Sequence, residues 1–241
     1  EMAKILGEEK ANIAEFLSDL QHKYEIISEL FLENSLQDVR TWTSKKALRG
    51  YLNIPQLGLF STMHAYHARK FKHPKTVQLF DRYATYNGSN PYQTPATLSV
   101  IPNLEYNIGA FMPVGGMISI PNSLCRLAKE IGVEFGMNER VEEILTEDQK
   151  AVGIKTAKGI FSFDHVASNM DIRPSYKKLL CQIPAPRKLL NQERSSSGII
   201  FYWGINREFD ALGVHNIFFS DQYQEEFNCI FQEKTLSDDP T

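Results

Sequence analysis

The sequence predicts an α+β fold, and three observations predict it. The first third of the chain carries apolar residues at helical spacing. The middle passes from a glycine turn through a helix into alternating, strand-like runs. The last part mixes two strand-like runs with a closing helix. A strand, glycine turn, helix, strand order is the signature of mixed α/β or α+β architectures.

The helical third opens with "ANIAEFLSDLQHKYEIISELFLEN", where Ile13, Phe16, Leu17, Leu20, Tyr24, Ile27, Leu30 and Phe31 recur at three- and four-residue steps. That is one apolar stripe on an amphipathic helix, with Asn34 or Ser35 as its end. "TSKKALRGYL" follows as a basic helical piece capped by Thr43 or Ser44. "HPKTVQLFDRYATYNG" reads as a helix from near Pro74 to Asn87-Gly88. After Gly88, prolines and glycines interrupt short apolar runs, and "GAFMPVGG" reads as a short strand with a tight turn. "IPNSLCRLAKEIG" is a helix with Pro121 in its first turn, Leu124, Leu127, Ala128 and Ile131 on one face, and Gly132 as cap. "VEFGMNERVEEILTED", "KAVGIKTAKG" and "IFSFDHVASN" then read as a strand-rich block. "SGIIFYWGIN" and "HNIFFS" are strand-like, and "YQEEFNCIFQEK" is the closing helix.

Composition narrows the function classes. The 241 residues are 42% hydrophobic, enough for one large domain or two small ones. A net charge of -3 offers no basic face, so nucleic acid is a poor partner. Cys125, Cys181 and Cys229 form no CxxC pair, and a reducing compartment fits them better than a disulfide framework. No signal peptide is visible, and no apolar run reaches the roughly 20 residues of a membrane-spanning helix. The chain opens at Glu1 inside an apparent helix and stops at the turn-like "SDDPT". The expectation is a piece of a longer protein.

Ordinary catalytic signatures are sparse. His64 and His67 lie three apart on a helix, but no acidic or cysteine partner sits at ligand spacing, so a surface or lid position is favoured over a metal site. His22, His73, His165 and His215 are isolated. Ser195-Ser196-Ser197 has no adjacent base and reads as a loop. No catalytic side chain is singled out.

The stretch "RYATYNGSNPYQTPATLSVIPNLEYNIGAFMPVGGMISIPNSLCRLAKEIGVEFGMNERVEEIL" resembles the central region of bacterial-type phytoene desaturases and related carotenoid dehydrogenases. "AVGIKTAKGIFSFDHVASNMDIRPSYKKLL" and "FYWGINREFDALGVHNIFFSDQYQEEF" continue the likeness to the end of the chain, and the first part resembles the family's helical lid. The order "PxGGM", "NxxVxxI", "SNxD" carries the specificity. Carotenoid isomerases and retinol saturases are similar in sequence.

The resemblance implies a flavoprotein with a glutathione-reductase-like FAD fold that acts on carbon–carbon bonds of long isoprenoids. It divides the chain into a substrate-binding and helical-lid region at 1–114, a partial FAD-domain segment at 115–170, and a return to the substrate-binding domain at 171–241. The family's G-x-G-x-x-G pyrophosphate turn occurs nowhere in these residues. Flavin binding and turnover are therefore expected of a full-length parent and not of this chain alone.

Removing hydrogen from a CH–CH unit needs a hydride acceptor, which a flavin is and a side chain is not. The protein's share is an apolar, water-free cavity. Tyr83, Tyr86, Tyr92, Tyr106 and Phe111 suit its wall, and each reads equally as a core aromatic. Arg82 reads as a buried ion pair with Asp81 or Glu105 in preference to a polar group at the cavity end. The resemblance puts Gly115, Gly116 and Met117 at the flavin ring and Val141 near adenine. Ser168 and Asn169, at the end of a strand, fall on the FAD side, with a helix N-cap as the competing role for Asn169 or Asp171. "NIPQLGLFSTMHAYHARKFKHPK" reads equally as a membrane-docking surface, with Lys70, Lys72 and Lys75 near headgroups, and as a packed lid. The expected setting is cytoplasmic and peripherally membrane-associated, with a polyene substrate. The competing function is a flavin-free carotenoid- or lipid-binding module.

Overall fold

The computed structural model describes residues 2–35, 37–192, 194, 198–213 and 215–241. The chain divides into two compact units, residues 1–111 with 195–241, and residues 112–194. Helices and one small sheet are both present, as an α+β fold requires. The Ser195–Ser197 loop lies outside the described residues.

Unit 1 is built on helix α1 (Lys10–Phe31), whose apolar stripe sends Ile13, Phe16 and Leu20 into the interior, while near its end Ile26 is buried and the expected Ile27 only half-buried. Helix α2 (Lys45–Leu52) packs on it and begins where Ser44 accepts a hydrogen bond from Ala47 N. Helix α3 (Met63–Lys70) is capped by Thr62 in the same way. Helix α4 (Pro74–Asp81) starts with proline at a position that needs no N–H donor. A 3-10 turn, Arg82–Asn87, continues α4 and stops at Gly88, whose φ of +61° a side chain would resist.

These helices converge on an aromatic core. Phe16 lies 4.7 Å from Phe80 and 4.8 Å from Phe71 by ring centroids, and Phe71 stacks on Phe80 at 5.0 Å. Met63, Tyr66, Val77, Tyr83, Ala84 and Ala96 close the cluster. Each large side chain so buried contributes about 1.5–3 kcal/mol. Lys23 is buried too. It pairs with Asp19 at 2.9 Å and lies 4.0 Å over the Tyr66 ring, and the Tyr66 hydroxyl donates to the same carboxylate. Near the end of the chain, helix α6 (Tyr223–Asn228) runs into a π-helical turn, Cys229–Glu233.

Unit 2 holds helix α5 (Ser119–Glu130) and an antiparallel sheet in the order β1 (Val141–Glu147), β2 (Lys150–Thr156), β3 (Gly159–Ser162). The β1–β2 hairpin turns at Asp148 and Gln149, both with positive φ, as a two-residue turn between twisted strands demands. Ile144 of β1 and Leu179, from the π-helical turn Ser175–Leu179, are the buried hydrophobic residues of this unit among those described.

Several strand expectations fail. "GAFMPVGG", residues 133–137, the segment 163–169, and the two runs at 198–206 and 215–220 form no strand. Apolar alternation marks a chain that can pair, and a strand exists only where a neighbour supplies the ladder. Only three segments find one among the described residues. Helix α5 forms as expected, with Gly132 left-handed after it, yet its apolar face is exposed: Leu124 is 61% and Leu127 54% accessible.

Candidate functional site

The 3-10 turn after α4 places Arg82, Tyr83 and Tyr86 on one side of unit 1, and a π-helical turn, Leu104–Ile108, brings Glu105 to them. The Tyr83 hydroxyl donates to Glu105 Oε2 at 2.5 Å, and the Tyr86 hydroxyl donates to Oε1 at 2.6 Å. The two rings stack at 5.6 Å and 11°. Arg82 covers them, its Cζ 4.4 Å from the Tyr83 centroid and 5.5 Å from that of Tyr86. Its ion pair with Glu105 spans 3.9 Å. Of the two acidic partners considered for Arg82, the fold brings Glu105.

Burial pushes the Tyr83 hydroxyl up, and its hydrogen bond to Glu105 adds to that. Burial also raises the Glu105 carboxyl, but the hydrogen bonds from Tyr83 and Tyr86 and the charge of Arg82 outweigh it and hold Glu105 below the usual carboxylate range. At neutral pH the cluster is thus two phenol donors, one ionised acceptor and one guanidinium. Both carboxylate oxygens are engaged, so Glu105 anchors the tyrosines and is not a free base.

The residues expected at the substrate are not all in one place, although Tyr106 meets Tyr83. Tyr83 is fully buried in the core, whereas Tyr86 is 52% exposed. Tyr106 sits at the edge of the core, 6.1 Å from Phe80. Tyr92 belongs to a different group, 4.5 Å from His64 and 6.1 Å from Phe227. Burial and the charge of Asp81 push its hydroxyl up to about 12. Phe111 is 85% exposed and joins none of these groups.

The expectation that His64 and His67 lack an acidic partner is corrected. Asp81, from α4, accepts from both: Nδ1 of His64 and Nδ1 of His67 each lie 2.6 Å from one of its oxygens. Sequence spacing hides this partner because it comes from the next helix. The carboxylate ties α3 to α4. No group of three ligands able to hold a metal ion occurs among the described residues.

Two cavities open beside these groups in unit 1. One, of about 680 Å³, is lined by Arg82, Tyr86, Ile217, Phe218, Phe227 and Ile230 among others. The second, of about 630 Å³, is lined by His64, Asp81 and Tyr92. Tyr223 lines both. The residues from 215 onward were missed as site residues. Their signal was the pair Tyr223 and Phe227, four apart on a helical face.

In unit 2, Gly115 and Gly116 have φ of +88° and +79° and immediately precede α5, with Met117 60% exposed beside them. Val141, Ser168 and Asn169 come together in the wall of one cavity of about 410 Å³, with Ile144, Ile154 and Leu179. Ser168 Oγ accepts from Met170 N at 3.3 Å. Of the two residues considered as N-cap of the following turn, Asp171 serves, accepting from Arg173 N.

The family model of the flavin containing amine oxidoreductases matches residues 17–200. The chain is 46% identical over 239 residues to 1-hydroxycarotenoid 3,4-desaturase of Flavobacterium sp. (strain P99-3), across 99% of this chain and 49% of that protein. It is 36% identical over 203 residues to 4,4'-diapolycopene oxygenase of Methylomonas sp, across 83% and 41%. It is 30% identical over 232 residues to phytoene desaturase of Cercospora nicotianae, across 94% and 37%. The chain thus spans half or less of the length of these curated relatives.

Proposed function

The chain belongs to the flavin containing amine oxidoreductases, and from that premise we propose that it is part of an FAD-dependent enzyme that desaturates a long isoprenoid of the carotenoid class. The observation that carries the reading is the identity, along nearly its whole length, with a carotenoid desaturase. The geometry agrees with it: unit 1 holds a cavity of about 680 Å³ with Ile217, Phe218, Phe227 and Ile230 in its wall, suited to a hydrocarbon chain.

The residues present fit a flavin. At Gly116 a Cβ would meet nothing within 4 Å, so open space lies against a left-handed backbone that only glycine adopts easily. Bound FAD supplies the hydride acceptor that no side chain provides. In this reading Gly115 and Gly116 hold it by close backbone approach with Met117 alongside, and Val141, Ser168 and Asn169 form the wall on the adenine side. Unit 2 is then the middle part of a glutathione-reductase-like FAD fold, and residues 171–194 go with it. Unit 1 is the substrate-binding part, with its N-terminal helices as lid.

Within unit 1, Tyr86 offers the substrate an exposed face while Tyr83 backs it from the core. Arg82 and Glu105 fix the pair. Tyr106 extends the aromatic surface beside Tyr83, and Tyr92 faces the second cavity. A polyene dissolves in lipid, so the enzyme meets a membrane. Phe60, 92% exposed, and Leu59 are the apolar contact we assign, with Lys70, Lys72 and Lys75 near the headgroups. Among the described residues no helix is long and apolar enough to cross a bilayer.

The test is to express the whole coding sequence that contains these residues, supply FAD, and incubate it with acyclic carotenoids in liposomes. A product with one more conjugated double bond, seen as a red-shifted spectrum and a loss of two hydrogens by mass, is expected. Bound flavin without a new double bond in any carotenoid would remove the reading.

A further inference from the structure

Helix α2 inverts the usual surface pattern. Its small residues face inward: Ala47 and Gly50 are buried, and the helix packs on α1. Its large apolar residues face outward. Leu48 is 59% and Leu52 75% exposed, and the Tyr51 ring lies open with its hydroxyl already donating to Trp42 O at 3.0 Å. A surface helix ordinarily buries its apolar stripe and exposes its charges. Lys45 and Arg49 stand one turn apart, as do Leu48 and Leu52, so the four share one face. Both cations are exposed, and neither enters an ion pair or side-chain hydrogen bond among the described residues. Lys70 and Lys72, by contrast, bring their own counter-charges, Glu15 at 2.9 Å and Glu9 at 3.3 Å. From α2 the chain runs through the 3-10 turn Ile54–Leu57 to Leu59 and Phe60, both exposed.

We propose that this face of α2 docks on an anionic lipid bilayer, with Leu48, Tyr51 and Leu52 among the upper acyl chains and Lys45 and Arg49 at headgroup phosphates. The inference rests on the reading above, which brings the enzyme to a membrane, and adds a second contact and the charge of the lipid. An exposed apolar patch marks a contact surface, and the charges on it say with what. Lysine is depleted at protein interfaces, whereas a helix lying in a bilayer surface combines leucine and aromatics with Lys and Arg. The long basic side chains lay their stems along the apolar surface and keep their heads at the phosphates. The chain as a whole carries a net charge of -3, so a preference for an anionic surface has to come from a local basic face. Residues 39–80 contain no aspartate or glutamate, so no acidic side chain of this segment opposes the headgroups.

The test floats the whole protein, expressed from the coding sequence that contains these residues, with vesicles of phosphatidylcholine alone or mixed with phosphatidylglycerol. Binding to the mixed vesicles is expected to be at least about tenfold stronger and to fall as salt rises. Lys45→Gln with Arg49→Gln should weaken binding to mixed vesicles about tenfold and leave binding to phosphatidylcholine unchanged. Leu48→Ser with Leu52→Ser should weaken binding to both. All four side chains are exposed, so both variants should keep the parent's circular dichroism. Equal binding to the two vesicle types, or a preference for mixed vesicles that survives loss of Lys45 and Arg49, overturns the inference. So does a soluble oligomer that Leu48→Ser with Leu52→Ser disperses while vesicle binding stays unchanged, because the face then belongs to a protein partner. Absence of binding to any vesicle overturns it and also removes the contact at Leu59 and Phe60. Each of these failures leaves the desaturase reading standing, since the formation of a new double bond decides that.

Discussion

Unit 1 and unit 2 reach order by different means. Unit 1 draws side chains from α1, α3, α4 and the turn at Arg82–Asn87 into one aromatic cluster around Phe16, Phe80 and Tyr83. Unit 2 buries Ile144 and Leu179 and is otherwise organised by the backbone ladder of a three-stranded sheet, while α5 buries none of its residues. Non-local packing organises the first and local hydrogen bonding the second. The polar clusters Arg82–Glu105 and His64–Asp81–His67 are supported by the packed unit. Unit 2 offers glycine backbone and an open wall.

The sharpest way to break this contrast is a truncation in each unit. Phe16→Ala should cost about 3–5 kcal/mol, whereas Leu124→Ala on the exposed face of α5 should fall within about 0.5 kcal/mol of the parent. Urea unfolding measures both, and similar losses would mean that α5 is buried in solution.

A smaller loss is expected at Asp81. Asp81→Asn replaces one of the two carboxylate oxygens that meet the His64 and His67 rings by an amide N–H₂, and leaving a buried polar group without its partner costs about 1–3 kcal/mol. The change should show as a lower urea midpoint together with altered His64 and His67 ring resonances. A midpoint equal to the parent's would mean that the carboxylate does not join α3 to α4.

Next comes the ladder of unit 2. A Cβ at Gly153 would stand 2.3 Å from the carbonyl oxygen of Phe161, inside contact distance. Gly153→Ala should therefore push β2 from β3 and cost about 1–3 kcal/mol. Amide exchange should quicken at 150–162 and stay unchanged in the aromatic core. Quickening in both would deny the independence of the two units.

The smallest effect is a pH dependence. Glu105 has a lowered folded pKa against an ordinary value of 4.5. The stability it adds is fully present above that ordinary value and is lost as pH falls through the lowered one. Glu105→Gln should remove this part of the acid sensitivity, so the parent and variant should differ near neutrality and converge in acid. A gap that stays constant from neutrality into acid would show that Glu105 is not the ionised anchor of Tyr83 and Tyr86.

Local signals were legible where the physics is local. The stripe of α1, the Ser44 cap, the stop at Gly88, helix α5 and the hairpins from Val141 to Ser162 all follow from periodicity and turn chemistry. The same signals misled at 198–206, where Ile199, Phe201 and Trp203 read as strand and are instead unpaired and exposed. β-propensity reports fitness for a pleated surface, not the presence of a neighbour. Of the candidate residues, Arg82, Tyr83 and Tyr86 could be picked out together because a single turn carries them. Glu105 was visible only as one of two possible partners, and the spacing of Tyr223 and Phe227 marked a helical face but not its place beside the cluster, because more than a hundred residues separate them from it.

By itself, the sequence determined the helices, the hairpins, the family likeness, and the concentration of aromatics around one arginine. Each of these depends on residues close in the chain or on motif order. Only the tertiary structure decided that Asp81 joins two histidines and that Glu105 holds both tyrosines. It also decided that Arg82 and Tyr223 line one cavity. Those facts depend on which helix faces which, and that is set by the packing of the aromatic core, a property no local stretch of the chain encodes.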